Sequence, residues 1–432
     1  KLVRPRKNVM ICLSSVYCDF SKSYAESRYP KNAEFLRDLK AWSKLTDNLY
    51  VWDYNTNFRH YLMPFANIPA LQADLKILRD HHVHSVYAQG AYQGWHGDMA
   101  ELKNYLTAKW LWNPDLDRET LVAKFLKGYY GAAAPYVKEY LDRLHALPRD
   151  EEKAPLKIFQ LRADEKVIQP EFLDWALGKW AQAEAAVKDD PVRSYNVRMS
   201  ALAVAYWRAL GGKMLSFRDV SADAGIAALA KRVLAGFDEA KAAGRPIRIA
   251  EHDAECEPVL RQLKAMAEGG FGEPVAGGGR RFGACVFTRG HDGFHQALVK
   301  DAAAVGGEAV KLFNTESNWY TTWKLAAIDF GSGRRYRLRV KARAALTGVA
   351  GEAFSIGVHD AVRDRGHVSR SVKSDEIGAD YAWYDVGEWT PGANDLLWVM
   401  AGSFDKKKLR TSPVHDGIWI GGLEIVPVGK AE

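Results

Sequence analysis

The stretch 48–58, NLYVWDYNTNF, decides how the chain is read. Leu49, Val51 and the aromatics around them predict a short, fully buried strand of the kind found in parallel sheets. It breaks off in Asp53, Tyr54, Asn55, Thr56 and Asn57. A strand that opens into a carboxylate, amides and aromatics suits the sugar-binding rim of a (β/α) barrel, where strands give rigidity and their C-terminal ends carry chemistry. A lone Asp leaving a strand also starts Asx turns. Asp53 alone therefore makes no site.

The pattern recurs on both sides. Upstream, NVMICLSSVYCDF (8–20) runs from an apolar strand into Tyr17, Cys18 and Asp19; downstream, HSVYAQGAYQGW (84–95) ends in Gln89, Gly90, Tyr92 and Trp95. Between them, 32–45 places Phe35, Leu36, Leu39, Trp42 and Leu45 at helical spacing, and 69–81 does so with Leu71, Leu75 and Leu78. Three strand–helix units in sequence predict parallel βαβ topology. Three strands do not close a barrel, so residues 1–97 read as a partial TIM-like (β/α)8 barrel.

The run from RPRKNVMICLSSVYCDF through WDYNTNF, YLMPFANI, YAQGAYQGW, DMAELKNYLTAKWLWNPD and FLKGYYGAAAPYVKEYLDRLH resembles the domain of unknown function 4838 family, densely over residues 1–145. That family is related to glycoside hydrolase family 163. The resemblance implies a sugar-hydrolysing barrel with endo-β-N-acetylglucosaminidase-like action on N-glycans, and a secreted, periplasmic or cell-surface location. The chain departs from the family twice. An earlier half-barrel, with an Asn-Asp-Gly strand end and a Cys-x-Cys-x-x-Cys run, does not occur in it, so the resemblance implies a fragment of a longer protein. Where relatives carry Glu-Gln-Gly, this chain has Ala88, Gln89 and Gly90.

The totals narrow the function classes. The 432 residues suffice for two or three domains. Hydrophobic content of 47% and charged content of 26% are ordinary for globular chains, whereas 12% aromatics, with 14 Trp and 19 Tyr, is high. A net charge of +7 invites a nucleic-acid partner. Yet 60 basic residues face 53 acidic ones, they are scattered, and the longest basic run is Lys406 to Lys408; nucleic acid is not an expected partner. Cys12, Cys18, Cys256 and Cys285 show no zinc spacing. No metal and no cofactor are expected. No apolar run approaches the roughly 20 residues of a membrane helix, and no signal peptide is read at KLVRPRKN.

Residues 98–268 read as helical, a bundle packed on the barrel. Asp117 is placed to cap one helix, with Glu119 in its first turn. The stretch 269–280, GGFGEPVAGGGR, with six Gly and one Pro, reads as a linker. Beyond it the period falls to 2: Tyr336, Leu338, Val340 and Ala342 alternate with Arg335, Arg337, Arg339 and Lys341. Phe354, Ile356 and Val358 alternate likewise, and Ile418, Ile420, Leu423 and Ile425 suggest a closing strand. Residues 281–432 are therefore expected to be an antiparallel β-sandwich, jelly-roll-like and similar to carbohydrate-binding modules. The basic strand face reads as solvated, with acidic glycans as the alternative. Of Trp319, Tyr320, Trp323, Trp383, Tyr384, Trp389, Trp398 and Trp419, most are assigned to the core and some to a sugar-stacking platform.

The leading expectation is a glycoside hydrolase-like protein acting on N-acetylglucosamine-containing glycans, possessing little activity as a fragment. Glycosidic cleavage needs two carboxyl groups. Asp53 and Asp19 are assigned to that catalytic work; Tyr17, Trp52, Tyr54, Asn55, Gln89, Tyr92 and Trp95 would shape the sugar subsite. His60 and His96 are weaker candidates, each read first as structural. The alternative is a non-catalytic glycan-binding protein.

Overall fold

The computed structural model describes residues 4–160, 167–211, 215–218, 220–268, 272–289, 296–314, 321–401 and 413–429. The Lys406–Lys408 run, Trp319 and Tyr320 lie outside the described residues. The chain divides into two compact units, 1–212 with 229–259, and 213–228 with 260–432.

The first unit begins with three strands, β1 (Ile11–Ser14), β2 (Leu49–Tyr54) and β3 (Val83–Gln89), paired in parallel in that order. The helices α1 (Pro30–Ser43) and α2 (Ile68–Asp80) make the crossovers. Both begin with proline in the first turn, where its missing N–H costs nothing. Phe35 and Leu39 of α1 and Leu71, Leu75 and Leu78 of α2 are buried, as their spacing predicts. The described residues show no closed barrel around these strands.

Strand β2 corrects its own reading. It is not buried on both faces: Leu49, Val51 and Asp53 are buried, whereas Trp52 is exposed and Tyr50 half-buried. The covered face carries the apolar residues, and the aromatics stand on the other.

The helices α3 (Ala100–Trp112), α4 (Arg118–Tyr130), α5 (Ala134–His145), α6 (Pro170–Ala186) and α7 (Pro191–Gly211) follow. Asp117 caps α4 as its sequence predicts, accepting the Thr120 N–H at 2.8 Å. An aromatic core joins three of them, with Trp180 against Tyr140 at 5.3 Å and Tyr130 at 6.2 Å between ring centroids. The short strand β4 (Leu215–Ser216) and helices α8 (Val220–Ala242) and α9 (Asp253–Ala267) complete the middle of the chain.

The second unit is mostly antiparallel. Its strands are β5 (Glu273–Val275), β6 (Gly279–Phe282), β7 (Thr288–Arg289), β8 (Gln296–Lys300), β9 (Glu308–Phe313), β10 (Thr321–Lys324) and β11 (Ile328–Asp329). After them come β12 (Arg335–Leu346), β13 (Glu352–Asp360), β14 (Arg365–Lys373), β15 (Ala382–Trp389), β16 (Asp395–Ala401) and β17 (His415–Val428). One sheet runs β14-β13-β16-β10-β7; the other runs β15-β12-β17-β6-β5, with β8 and β9 joined through β17. The sheets face each other through Phe282 and Trp323, 4.9 Å between centroids, and Phe354 and Tyr384, 6.1 Å apart. Alternation reads out directly: Tyr336, Leu338, Val340 and Ala342 are fully buried.

Two expectations on this unit meet specific structure. The glycine-rich stretch is not a free linker where it is described: Glu273–Val275 and Gly279–Phe282 form an antiparallel hairpin, and β6 pairs with β17. Gly277 and Gly278 turn it at φ +76° and +72°, a region where a side chain is strained. The basic face of β12 is neutralised locally: Arg335 and Arg337 pair with Glu388, Arg339 with Glu424 and Arg343 with Asp301.

Candidate functional site

The register of the parallel sheet sorts the expected site residues onto two faces. Trp52 lies opposite Ser14 and Tyr87, and Tyr54 opposite Gln89; Asp53 lies opposite Ala88. Trp52, Tyr54, Tyr87 and Gln89 therefore share the open face, although Tyr54 is itself buried there, and Asp53 and Ala88 share the other face. The repeated strand-end pattern predicts Asp53, Asp19 and Gln89 on one rim. Asp53 and Gln89 are on opposite sides of the sheet.

Asp53 is 5% exposed, and its Oδ1 accepts hydrogen bonds from Ser15 Oγ at 2.6 Å and Tyr24 OH at 2.8 Å. Burial pushes its pKa up, against the pull of those two donors. The Tyr24 hydroxyl and the buried Asp74 carboxyl are also pushed up, by burial first and by Asp53 second. Asp19 is fully buried and organises its loop, accepting from Ser21 Oγ, Ser27 Oγ and the Leu156 N–H at 2.7–2.9 Å. These are carboxylates that hold loops and strands together, enclosed by their own donors. Asn55 is likewise buried, and a Cβ on Gly90 would stand 2.9 Å from its Oδ1, so any larger residue there displaces the Asn55 amide.

The open face carries a connected polar chain. Trp52 Nε1 donates to Gln89 Oε1 at 2.7 Å, and Gln89 Nε2 donates to Glu251 Oε1 at 3.4 Å. Tyr92 OH donates to the same oxygen at 3.2 Å. Around it stand rings: Trp52 meets Tyr87 edge-on at 5.4 Å and stacks with Tyr54 at 6.2 Å. Tyr54 OH lies 3.2 Å from Ser14 Oγ. Trp52, Tyr87 and Tyr92 are exposed. Burial and the adjacent Glu251 carboxylate both hold the Tyr92 hydroxyl above its ordinary pKa.

Glu251 was missed by the sequence reading. Its backbone is fixed on three sides: its N–H donates to Phe58 O at 2.7 Å, and its carbonyl accepts from Gln93 Nε2 and an Arg248 guanidinium N–H, both at 2.8 Å. Tyr61 OH in turn holds Gln93 at 2.7 Å. The carboxylate is thus presented by a rigid frame, its side chain 17% exposed. A signal was present: Ile247 and Ile249 alternate into Glu251, and Ile247 forms a parallel bridge with Trp95. It was hidden inside a region read as helical.

The remaining expected residues scatter. Tyr17 is the most exposed, at 72%. Trp95 is exposed, with the Arg245 guanidinium 5.7 Å from its ring centre. His60 is buried, its Nδ1 2.6 Å from Tyr206 OH; His96 is buried between Glu101 Oε1, 2.8 Å away, and Tyr195 OH, 3.0 Å away. Both histidines are structural. All four cysteines are free thiols.

Residues 1–142 match the family described as "Domain of unknown function (DUF4838)". No curated protein matches the chain. Among solved structures, it is similar to an arabinose-bound MgGH51 α-L-arabinofuranosidase, at 10% identity and TM-score 0.24 over 33% of this chain and 23% of that one. A second is the CBM22-1 xylan-binding domain from Paenibacillus barcinonensis Xyn10C, at 10% identity and TM-score 0.25 over 34% of this chain and 90% of that one. A third is the carbohydrate-binding module CBM6cm-2 from Cellvibrio mixtus lichenase 5A, at 8% identity and TM-score 0.23 over 33% and 97%. The chain spans less than a quarter of the length of the arabinofuranosidase. Likenesses this slight do not bear on function. Among the described residues, no helix is long and apolar enough to cross a membrane.

Proposed function

We propose that this protein binds glycans on the open face of its parallel sheet, through Trp52, Gln89, Tyr92 and Glu251. The observation that carries this reading is the hydrogen-bonded chain from Trp52 Nε1 through Gln89 to Glu251, with Tyr92 closing on the same carboxylate oxygen. Exposed rings offer apolar faces to the C–H face of a sugar, while the amide and carboxylate accept and donate at its hydroxyls. The fold that belongs to this reading is the C-terminal portion of a (β/α) barrel, with a jelly-roll-like sandwich beyond it.

Hydrolysis of N-acetylglucosamine-containing glycans is the second reading, favoured by Glu251: a carboxylate held rigidly at the aromatic face is one of the two that glycosidic cleavage requires. Asp53 and Asp19, the carboxylates first assigned to that work, are enclosed by donors away from this face. A secreted or periplasmic location belongs to the same reading.

The test is calorimetric titration of the chain with N-acetylglucosamine oligomers and with xylo-oligosaccharides, alongside Trp52→Ala and Glu251→Gln. Binding that weakens by about tenfold or more in each variant supports the assignment, since removing a central aromatic anchor commonly costs more than about 1.4 kcal/mol. Binding equally strong in both variants, or none to any oligomer, overturns it. Release of reducing ends that Glu251→Gln abolishes would select hydrolysis.

A further inference from the structure

The second unit brings three metal-ligating side chains together where no sequence spacing marked them. Asp360 ends β13, Asp395 begins β16, and the two stand directly opposite each other in the antiparallel pair. The hairpin into β14 pairs Asp360 with Arg365, and two positions along lies His367. One donor atom from each of Asp360, His367 and Asp395 lies within 4.8 Å of the others.

Each carboxylate is held by one oxygen and leaves the other. Asp360 Oδ1 accepts the N–H groups of Val362 and Arg363, both at 3.0 Å. Asp395 Oδ2 accepts the Gly392 N–H at 2.8 Å and Trp389 Nε1 at 3.2 Å. Both residues are buried, at 6% and 1% exposure. Asp395 Oδ1 is the unusual atom: it is buried and accepts no hydrogen bond, although His367 Nε2 stands 3.0 Å away. An imidazolium at that distance, were it there to neutralise the carboxylate, would aim its N–H along the contact. Instead the two atoms approach without that alignment, as two ligands of one ion do. Donors about 2.1 Å from a shared ion and separated by 90–110° lie about 3.0–3.4 Å apart.

Electrostatics points the same way. Two acidic residues directly opposite on neighbouring strands repel, and buried carboxylates need a compensating charge. The nearest guanidinium, Arg363 Nε, is 3.9 Å from Asp360 Oδ2 on a side chain 81% exposed. It is a weak partner.

We propose that Asp360, His367 and Asp395 form a divalent transition-metal site, of the zinc class, that pins the β13–β14 hairpin to the start of β16. Imidazole with two carboxylates suits zinc better than magnesium or calcium, which take oxygen ligands. The backbone and Trp389 hydrogen bonds orient the carboxylates, as outer-shell partners do at metal sites. The His367 side chain is 28% exposed. Three protein ligands leave at least one position for water or another ligand.

The experiment is calorimetric titration of the full chain with zinc chloride, repeated with calcium chloride and in His367→Ala and Asp360→Asn, with melting temperature recorded at each metal concentration. One zinc per chain is expected, raising the melting temperature, with affinity falling by at least tenfold in either variant. His367 is at the surface, so His367→Ala decides the matter even where Asp360→Asn fails to fold. Zinc binding of unchanged stoichiometry and affinity in His367→Ala, or no zinc binding by the unaltered chain, overturns the site. Preference for calcium over zinc overturns the ligand class.

Discussion

Replacing Asp53 separates a structural carboxylate from a catalytic one. In Asp53→Ala, Ser15 Oγ and Tyr24 OH lose the acceptor they share at 2.6 and 2.8 Å, within a site where Asp53 is 5% exposed. Ser15 Oγ keeps a long 3.5 Å bond to the Trp52 carbonyl, whereas Tyr24 OH loses its acceptor; a buried hydroxyl left without a partner costs about 1–3 kcal/mol, so the variant is expected to lose roughly 1–4 kcal/mol. Asp53→Asn keeps an oxygen for both donors and removes a charge whose burial is unfavourable; its stability is expected within about 1 kcal/mol of the parent at pH 7. The pH dependence has a definite sign. Burial raises the folded-state pKa of Asp53 above its unfolded value. Between those values the folded state binds more protons, so this group's contribution to stability increases as pH falls through the raised pKa toward about 3.9. That gain is expected to vanish in Asp53→Asn. Urea unfolding followed by tryptophan fluorescence at pH 7 and pH 5 measures both effects, with glycan titration on the same samples. If Asp53→Asn is as damaging as Asp53→Ala, the charge itself holds the structure and the hydrogen-bond reasoning is refuted. If Asp53→Asn abolishes glycan binding while its unfolding midpoint is unchanged, Asp53 acts at the ligand face after all.

Three other outcomes are expected. Lys103 Nζ and Asp98 Oδ2 form a buried ion pair at 2.9 Å, with burial lowering the lysine pKa against the pull of Asp98; Asp98→Asn should cost about 3–5 kcal/mol and Asp98→Asn with Lys103→Met much less, and equal urea midpoints for the two would contradict this. His145 is kept neutral by burial, its pKa pushed down to about 4, with Nδ1 2.8 Å from Leu141 O and Nε2 3.4 Å from the Ile68 N–H. Its contribution is complete above about pH 6.5 and is lost as pH falls toward 4; His145→Phe should flatten that part of a melting-temperature profile, and an unchanged slope would exclude His145 as its source. Gly277→Val and Gly278→Val should each cost about 1–2 kcal/mol through their left-handed backbone, whereas Gly378→Ala, with open space around it, should be near neutral in the same thermal melts.

Much of the architecture was legible because it depends on local periodicity. Leu49 and Val51, the Phe35–Leu39 and Leu71–Leu75–Leu78 helix faces, the Asp117 cap and the alternation from Tyr336 to Ala342 all appear where spacing and capping chemistry predict them. In each case the sequence signal is the physical cause: a side chain's period decides which solvent or core it meets. Trp52, Gln89 and Tyr92 fall near the end of the parallel strands, where the strand pattern puts them; their role as a glycan face is the proposal made above.

What the sequence did not determine is which face each residue would join, and what would come to meet it. Asp53 and Trp52 are neighbours in the chain, yet one is sealed beneath helices and the other stands open, because successive strand residues point oppositely and only the helices choose the covered side. Glu251 reaches Gln89 and Tyr92 across some 160 residues, and Asp360, His367 and Asp395 meet only when β13, β14 and β16 pair. Composition and spacing along the chain determined the elements; which side chains gather together was decided by tertiary packing, since carboxylates, amides and imidazoles act at a few ångströms and sequence separation carries no information about that distance.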